Sequence, residues 1–274
     1  MRRAAPHITL LTDFGTADGY AGVLHGVIAQ RCPAARVIDL SHHIPRHDTA
    51  AAAYVLWSSY RYFPSHTIFV CVVDPGVGTA RTLLAVQTPR GCAFVAPDNG
   101  VLRYVLAESP GARGVAIDPQ RLGLPQPSQT FHGRDVLAPA AAALAAGMPL
   151  ARLGRPYDLS SCAVSPACAP PHARRTWHPA RVLHADSFGN LITDVPLTYD
   201  VQRFRCGRRV IATHVTAYAE APRGVPCFLP GSAGRWELAV REGSARDVLK
   251  VAAGARLFFT LASSAPHDQR QALS

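Results

Sequence analysis

The chain has 274 residues, 48% of them hydrophobic and 17% charged, which excludes extensive disorder and leaves room for one large domain or two unequal ones. Lysine and arginine number 28 against 18 acids, a formal net charge of +10, but the arginines lie in scattered groups such as Arg174-Arg175 and Arg208-Arg209 rather than along a basic helix, so no nucleic-acid partner is expected. No uncharged run reaches the ~20 residues of a bilayer span, the first residues carry no signal-peptide core, and the seven cysteines lack CxxC pairs. The expectations are free thiols, a cytoplasmic location and no membrane partner.

Residues 7–12 form an apolar run ending at Asp13-Phe14-Gly15, and residues 18–30 carry apolar side chains at helical spacing, which predicts a strand, a turn and a helix. Residues 36–40 read as a strand, 49–60 as a helix, and 67–73 as a β-branched run suited to a strand buried on both faces. Strands at 82–87 and 93–96 follow, then a helix over 100–107 and an alanine-rich helix over 135–146, opened by Gly133-Arg134-Asp135 and closed by Gly147. This alternation predicts an α/β architecture with a mostly parallel sheet. Between residues 155 and 179, five prolines and two cysteines interrupt any periodicity. Short alternating segments at 180–184, 209–213, 236–240 and 256–261 then predict a small β-rich domain. The reading divides the chain into an N-terminal domain (1–160), a proline-rich linker (161–179), a C-terminal domain (180–265) and a tail (266–274).

Ligands of α/β folds bind at the C-terminal ends of parallel strands, where loops and helix N-termini line a crevice. Asp13 and Asp74 each end an apolar strand and enter a turn, and Asp98-Asn99-Gly100 does the same after a third. One such aspartate commonly caps a turn; three together point to a shared site. Phe131-His132-Gly133-Arg134-Asp135 sets an imidazole immediately before a helix, where backbone N–H groups and the helix dipole orient a polar ligand or lower the imidazole pKa.

Five ordered motifs carry a resemblance over nearly the whole chain: Leu11-Thr12-Asp13-Phe14-Gly15 with Asp18-Gly19-Tyr20, Val73-Asp74-Pro75-Gly76-Val77-Gly78-Thr79 with Arg81, Ala96-Pro97-Asp98-Asn99-Gly100, Thr130-Phe131-His132-Gly133-Arg134-Asp135, and Asp186-Ser187-Phe188-Gly189-Asn190. The chain resembles the S-adenosyl-L-methionine (SAM) hydroxide adenosyltransferases, adenosine-forming SAM hydrolases related to the fluorinase and chlorinase enzymes. The resemblance implies an N-terminal α/β domain followed by a smaller C-terminal β-barrel, and a catalytic set of Asp74, Arg81 and His132. It further implies that Asp13 holds the ribose hydroxyls, Asn190 and the backbone near Val240 meet adenine, and Asp186 meets the methionine ammonium. Asn99, Phe188, Ser232 and Glu237 complete the implied substrate contacts, and the implied assembly is a homotrimer with active sites shared between subunits. Two positions depart from the pattern: Gly231 stands before Ser232 where an Asn is expected, and Arg241 stands where many relatives carry Asn.

SAM is a sulfonium, so its neutral thioether leaves C5′ readily and the weak partner is water. Asp74 can accept a hydrogen bond from that water while Arg81 and His132 stabilise developing hydroxide. No cofactor and no metal are expected, SAM being the substrate. The alternatives are a SAM-dependent halogenase, which would favour small hydroxyl donors; a metal-dependent phosphoesterase built on Asp13, Asp98, His132 and Asp135; and a non-catalytic adenosine or SAM sensor that needs only Asp13 and Asn190.

Overall fold

The computed structural model describes residues 5–172 and 174–262; the tail expected at 266–274 lies outside the described residues. The chain separates into two units, one reaching Ser165 and one starting at Pro166.

The first unit is built on a seven-stranded sheet of β1 (His7–Thr12), β2 (Arg36–Ser41), β3 (Ile68–Val72), β4 (Leu83–Gln87), β5 (Ala93–Pro97), β6 (Arg113–Ile117) and β7 (Gly154–Tyr157), in the order β2-β1-β3-β5-β4-β6-β7. Pairing is parallel from β2 through β1 and β3 to β5, and antiparallel from β5 through β4 and β6 to β7. The sheet is therefore mixed, with its parallel half carrying Asp13, Asp74 and Asn99. The edge strand β7 contains Pro156, which an edge tolerates because no ladder donor is lost there.

Helices α1 (Tyr20–Arg31), α2 (Thr49–Ser59), α3 (Arg103–Ala107) and α4 (Ala138–Ala145) complete this unit. Alternation along β3 explains how both faces are filled. Ile68, Val70 and Val72 join Ile8, Leu10, Leu24 and Ile28 in the core beneath α1 and α4. Phe69 points the other way and stacks on Phe94 at 5.0 Å, with Tyr60 and Phe63 edge-on around it. Both stacked rings are at most 1% exposed, and burying each contributes about 1.5–3 kcal/mol. Asp48 caps α2 by accepting the Ala51 N–H at 2.8 Å, a contact whose loss costs about 1 kcal/mol.

The second unit is an antiparallel, nearly closed barrel of β8 (His178–Ala185), β9 (Leu191–Pro196), β10 (Val201–Cys206), β11 (Arg209–Ile211), β12 (Pro226–Pro230), β13 (Arg235–Val240) and β14 (Arg256–Leu261), with a short helix α5 (Ala245–Leu249). Its order is β11-β10-β14-β8-β9-β13-β12. The end strand β12 meets the segment just beyond β11, where the Phe228 N–H donates to Thr213 O at 2.9 Å and the Val215 N–H to Phe228 O at 3.1 Å. Phe204, Phe228, Phe259 and Leu238 fill the interior, and the Trp236 indole N–H reaches the Tyr199 carbonyl at 3.0 Å, so its polar atom is satisfied.

Candidate active site

In the β1–β3 register Thr12 lies opposite Val72, so Asp13 and Asp74 leave neighbouring strands at almost the same level. The Asn99 amide donates to the Val73 carbonyl at 2.9 Å and brings the end of β5 to the same place. These are the C-terminal ends of the parallel strands, where such sheets bind ligands. Asp13 is held by the His47 N–H, which donates to Oδ2 at 2.9 Å. A cavity of about 1310 Å³ lies at the opposite, N-terminal end of β1, β3 and β5, and none of these residues lines it.

From Asp74 the chain makes a tight turn, with the Val77 N–H on Asp74 O and the Thr79 N–H on Gly76 O. Gly78 sits at φ +81°, and a Cβ there would fall 2.6 Å from the Gln129 carbonyl, so glycine is required on both counts. The turn returns Arg81 to its own start. Arg81 Nε donates to Asp74 Oδ1 at 2.5 Å and Nη2 donates to Asp74 Oδ2, a fork-to-fork ion pair whose side chains are 10% and 6% exposed.

The same Nη2 meets Nδ1 of His132 at 2.9 Å. A guanidinium only donates, so Nδ1 must be the acceptor and His132 is the neutral tautomer with its proton on Nε2. Burial holds the His132 pKa below the ordinary 6.5, the Arg81 charge pushes it the same way, and Asp74 and Asp135 oppose both. The helix start anticipated for this lowering is a π-helical turn over Gly133–Leu137, and the shift comes from burial and Arg81. Phe131 packs against Phe14 and Tyr20, at 5.6 and 5.3 Å between ring centroids, which joins the His132 loop to the Asp13 loop.

Asp135 accepts from Arg134 Nε at 2.6 Å and from the Ser128 N–H at 2.8 Å, and these contacts hold its carboxyl at about 2. Asp98 accepts the Tyr157 hydroxyl at 2.6 Å. Asp98 and Asp135 thus brace loops, and among the described residues the donor atoms of Asp13, Asp98, His132 and Asp135 do not gather in a group of three, so the phosphoesterase arrangement does not form.

The His132 geometry sets a pH dependence. The site needs the Nδ1 lone pair, so turnover is expected to fall on the acid side along a limb centred below 6.5, in a kcat profile measured from weakly acidic to neutral pH. The linked contribution to stability has the same sign: with the folded pKa depressed, it is full above the ordinary value of 6.5 and lost as pH falls through the folded pKa. A limb at or above 6.5 would contradict the neutral assignment.

In the second unit Asp186, Asn190, Tyr218 and Glu237 form one hydrogen-bonded group. Asp186 Oδ1 accepts the N–H groups of Phe188 and Asn190 at 2.9 and 2.8 Å, and Oδ2 accepts Asn190 Nδ2 at 3.0 Å. Asn190 Nδ2 also reaches the Tyr218 hydroxyl at 3.5 Å. The Tyr218 hydroxyl donates to Glu237 Oε1. Burial raises the Glu237 pKa and the Asp186 charge adds to it, against the Tyr218 hydrogen bond, while burial and then Glu237 raise that of Tyr218. Phe188 is 77% exposed beside this group, Ser232 is exposed in the turn between β12 and β13, and Val240 is buried at the end of β13.

Both departures from the family pattern have local causes here. A Cβ on Gly231 would lie 2.8 Å from the Arg235 carbonyl and 2.6 Å from Glu237 Oε2, so the Asn expected there has no room. Arg241 donates through Nη1 to the carbonyls of Ala219 and Ala221, at 2.7 and 3.3 Å, and anchors the 3-10 turn Tyr218–Glu220. Tyr218 itself belongs to no motif that the sequence offered; a tyrosine in a short turn gives no signal until its hydroxyl is seen on Glu237.

A buried carboxylate, guanidinium and imidazole joined at the ligand-binding end of an α/β sheet, in a chain that continues into a barrel with its own polar cluster, defines a two-unit enzyme for a small polar substrate. Residues 8–154 match the SAM hydroxide adenosyltransferase N-terminal domain and residues 180–258 the C-terminal domain, and the chain belongs to this family. It is 38% identical over 258 residues to a (R)-S-adenosyl-L-methionine hydrolase of Thermus thermophilus, an alignment covering 90% of this chain and 96% of the relative. A fluorinase of an Actinoplanes species is more distant, at 27% identity over 55% of this chain and 58% of the fluorinase. Among solved structures, an uncharacterized conserved protein from Thermotoga maritima superposes with a TM-score of 0.82 at 35% identity, covering 92% of this chain and 99% of that one.

Proposed function

We propose that this protein hydrolyses SAM, directing water at C5′ and releasing adenosine and L-methionine. The observation that carries the reading is the position of Arg81, whose guanidinium binds the Asp74 carboxylate in a fork and the neutral His132 at once. In the reaction the C5′–S bond breaks with its electron pair leaving on sulfur as a neutral thioether, the C5′–O bond forms, and the water gives up one proton that ends in solvent. Donors preorganised around the attacking oxygen stabilise the charge that develops on it. The chemistry needs neither a metal nor a cofactor, because the leaving group is already neutral.

Hydrolysis is favoured over halide transfer because an arginine and an imidazole suit bound water, and because the hydrolase relative aligns over far more of the chain than the fluorinase does. In oxygen-18 water the adenosine is expected to carry the label at its 5′ oxygen, read by mass spectrometry. Unlabelled adenosine, or a 5′-halo product when chloride is present, overturns the reading.

The same proposal includes a homotrimer in which Asp13, Asp74, Arg81 and His132 of one subunit face Asn190, Ser232 and Glu237 of the next. Its support is the family resemblance and the division of these residues between the two units. A cytoplasmic location belongs to it as well, supported by seven cysteines that are all free thiols. Among the described residues no helix is long and apolar enough to cross a membrane.

A further inference from the structure

His25 on α1, Asp39 on β2 and His42 just beyond β2 converge apart from the Asp74–Arg81–His132 set. Nε2 of His25 lies 2.8 Å from Asp39 Oδ1, and Nε2 of His42 lies 3.1 Å from the same oxygen. The three donor atoms fall within 4.8 Å of one another. His42 supplies a second and independent observation. It is only 6% exposed, yet its Nε2 has no hydrogen-bond partner, because its approach to Asp39 fails the direction that an N–H···O bond requires. A buried polar atom left in that state is unfavourable unless something else occupies it. Nothing in the adenosyl chemistry uses it.

We propose that His25, Asp39 and His42 bind a divalent transition-metal ion, with zinc the best match to two imidazoles and one carboxylate and a fourth position open to water. The other ring nitrogen of His42 is already placed for this role. Nδ1 lies 2.9 Å from Thr12 Oγ1, which also accepts the Phe14 N–H at 3.2 Å. With Nδ1–H donating to that hydroxyl oxygen, Nε2 presents its lone pair to the ion, the outer contact that orients a metal-bound histidine. Tetrahedral zinc with bonds of about 2.0–2.2 Å sets its ligand atoms about 3.3–3.6 Å apart. The two imidazole nitrogens, 2.8 and 3.1 Å from Asp39 Oδ1, therefore draw back from it by about 0.2–0.8 Å, which His25 and Asp39, 38% and 45% exposed, are free to do.

The ion would tie α1 and β2 to the loop that braces Asp13. The His42 carbonyl accepts the Gly15 N–H at 2.7 Å, and His47, five residues on, holds the Asp13 carboxylate. Its role is to fix this loop, outside the bond-breaking step.

The test uses full-length untagged protein, stripped with a chelator, desalted and dialysed against zinc chloride at neutral pH, with zinc per chain measured by mass spectrometry. One zinc per chain is expected, with affinity at least about tenfold weaker in His25→Ala and in Asp39→Asn. Zinc should raise the melting temperature of the parent and not of these variants. Cobalt(II) should give the visible absorption of a four-coordinate ion in the parent only. His25 and Asp39 are exposed enough for their variants to fold, whereas the buried His42 is left intact. Absence of stoichiometric zinc, or equal binding by the parent and both variants, would mean that the three side chains form only a hydrogen-bonded cluster. Adenosine formation assayed in the same samples reports on the hydrolase reading separately, so either proposal can fail alone.

Discussion

Arg81→Ala is expected to lower kcat by about 100- to 1,000-fold while KM stays within about tenfold, because the lost donors act on charge that develops only in the transition state. The structure makes this a severe substitution for a second reason. It strips the Asp74 side chain, 6% exposed, of its fork partner, and breaking a buried ion pair from one side costs about 3–5 kcal/mol. Loss of turnover must therefore be separated from loss of fold. Arg81→Lys keeps the charge but replaces the planar fork with a compact ammonium, so the bidentate pairing with Asp74 is lost. It is expected to melt close to the parent and still lose most of its turnover. His132→Ala leaves the Asp74–Arg81 pair intact and should also lower kcat, whereas Asp13→Ala should raise KM through the ribose. A folded Arg81→Lys protein with parental kcat would show that the shared guanidinium is not what activates water.

Part of this site is legible in the sequence because buried strands give continuous apolar runs, and an aspartate at the end of such a run stands out. Asp13 and Asp74 are visible in this way, and His132 by its place before an alanine-rich helix. Arg81 is not: it lies in a turn seven residues beyond Asp74, without periodicity, and only the family resemblance draws it in. Tyr218 has no signal at all, and the His25, Asp39 and His42 group is assembled from a helix and a strand end whose spacing matches no linear metal motif. In the barrel, β9 escapes the sequence pattern because it is buried on both faces and carries Asp194, whose carboxyl burial raises to about 6 while it accepts the Arg181 N–H. β10 escapes it because a register shift between Val201 and Arg203 puts its buried residues at 201, 204 and 206, which breaks the alternation of two. β12 begins and ends on proline, which reads as a loop until its pairing with β13 is known. Sequence pattern reports elements whose local periodicity agrees with their burial, and these three disagree for identifiable reasons.

Mixing two inactive variants, His132→Ala and Asn190→Ala, is expected to restore activity, and this is the sharpest test of the proposed shared site. His132 belongs to the unit that ends at Ser165 and Asn190 to the unit that begins at Pro166. His132→Ala removes the group that meets Arg81. Asn190→Ala removes the amide that binds Asp186 and Tyr218 and, in the proposed site, meets adenine. In a cyclic trimer with head-to-tail contacts, each site draws one unit from each of two neighbours. Every mixed trimer then contains one interface in which an intact first unit, from the Asn190→Ala chain, meets an intact second unit, from the His132→Ala chain. Random exchange in equal amounts makes about a quarter of all interfaces intact, so about a quarter of parental turnover should return. Subunits must be allowed to exchange and mixed trimers verified by native mass spectrometry. Verified mixed trimers that remain as inactive as either parent, or an isolated monomer that turns over at the parental rate, would place the complete site within one chain.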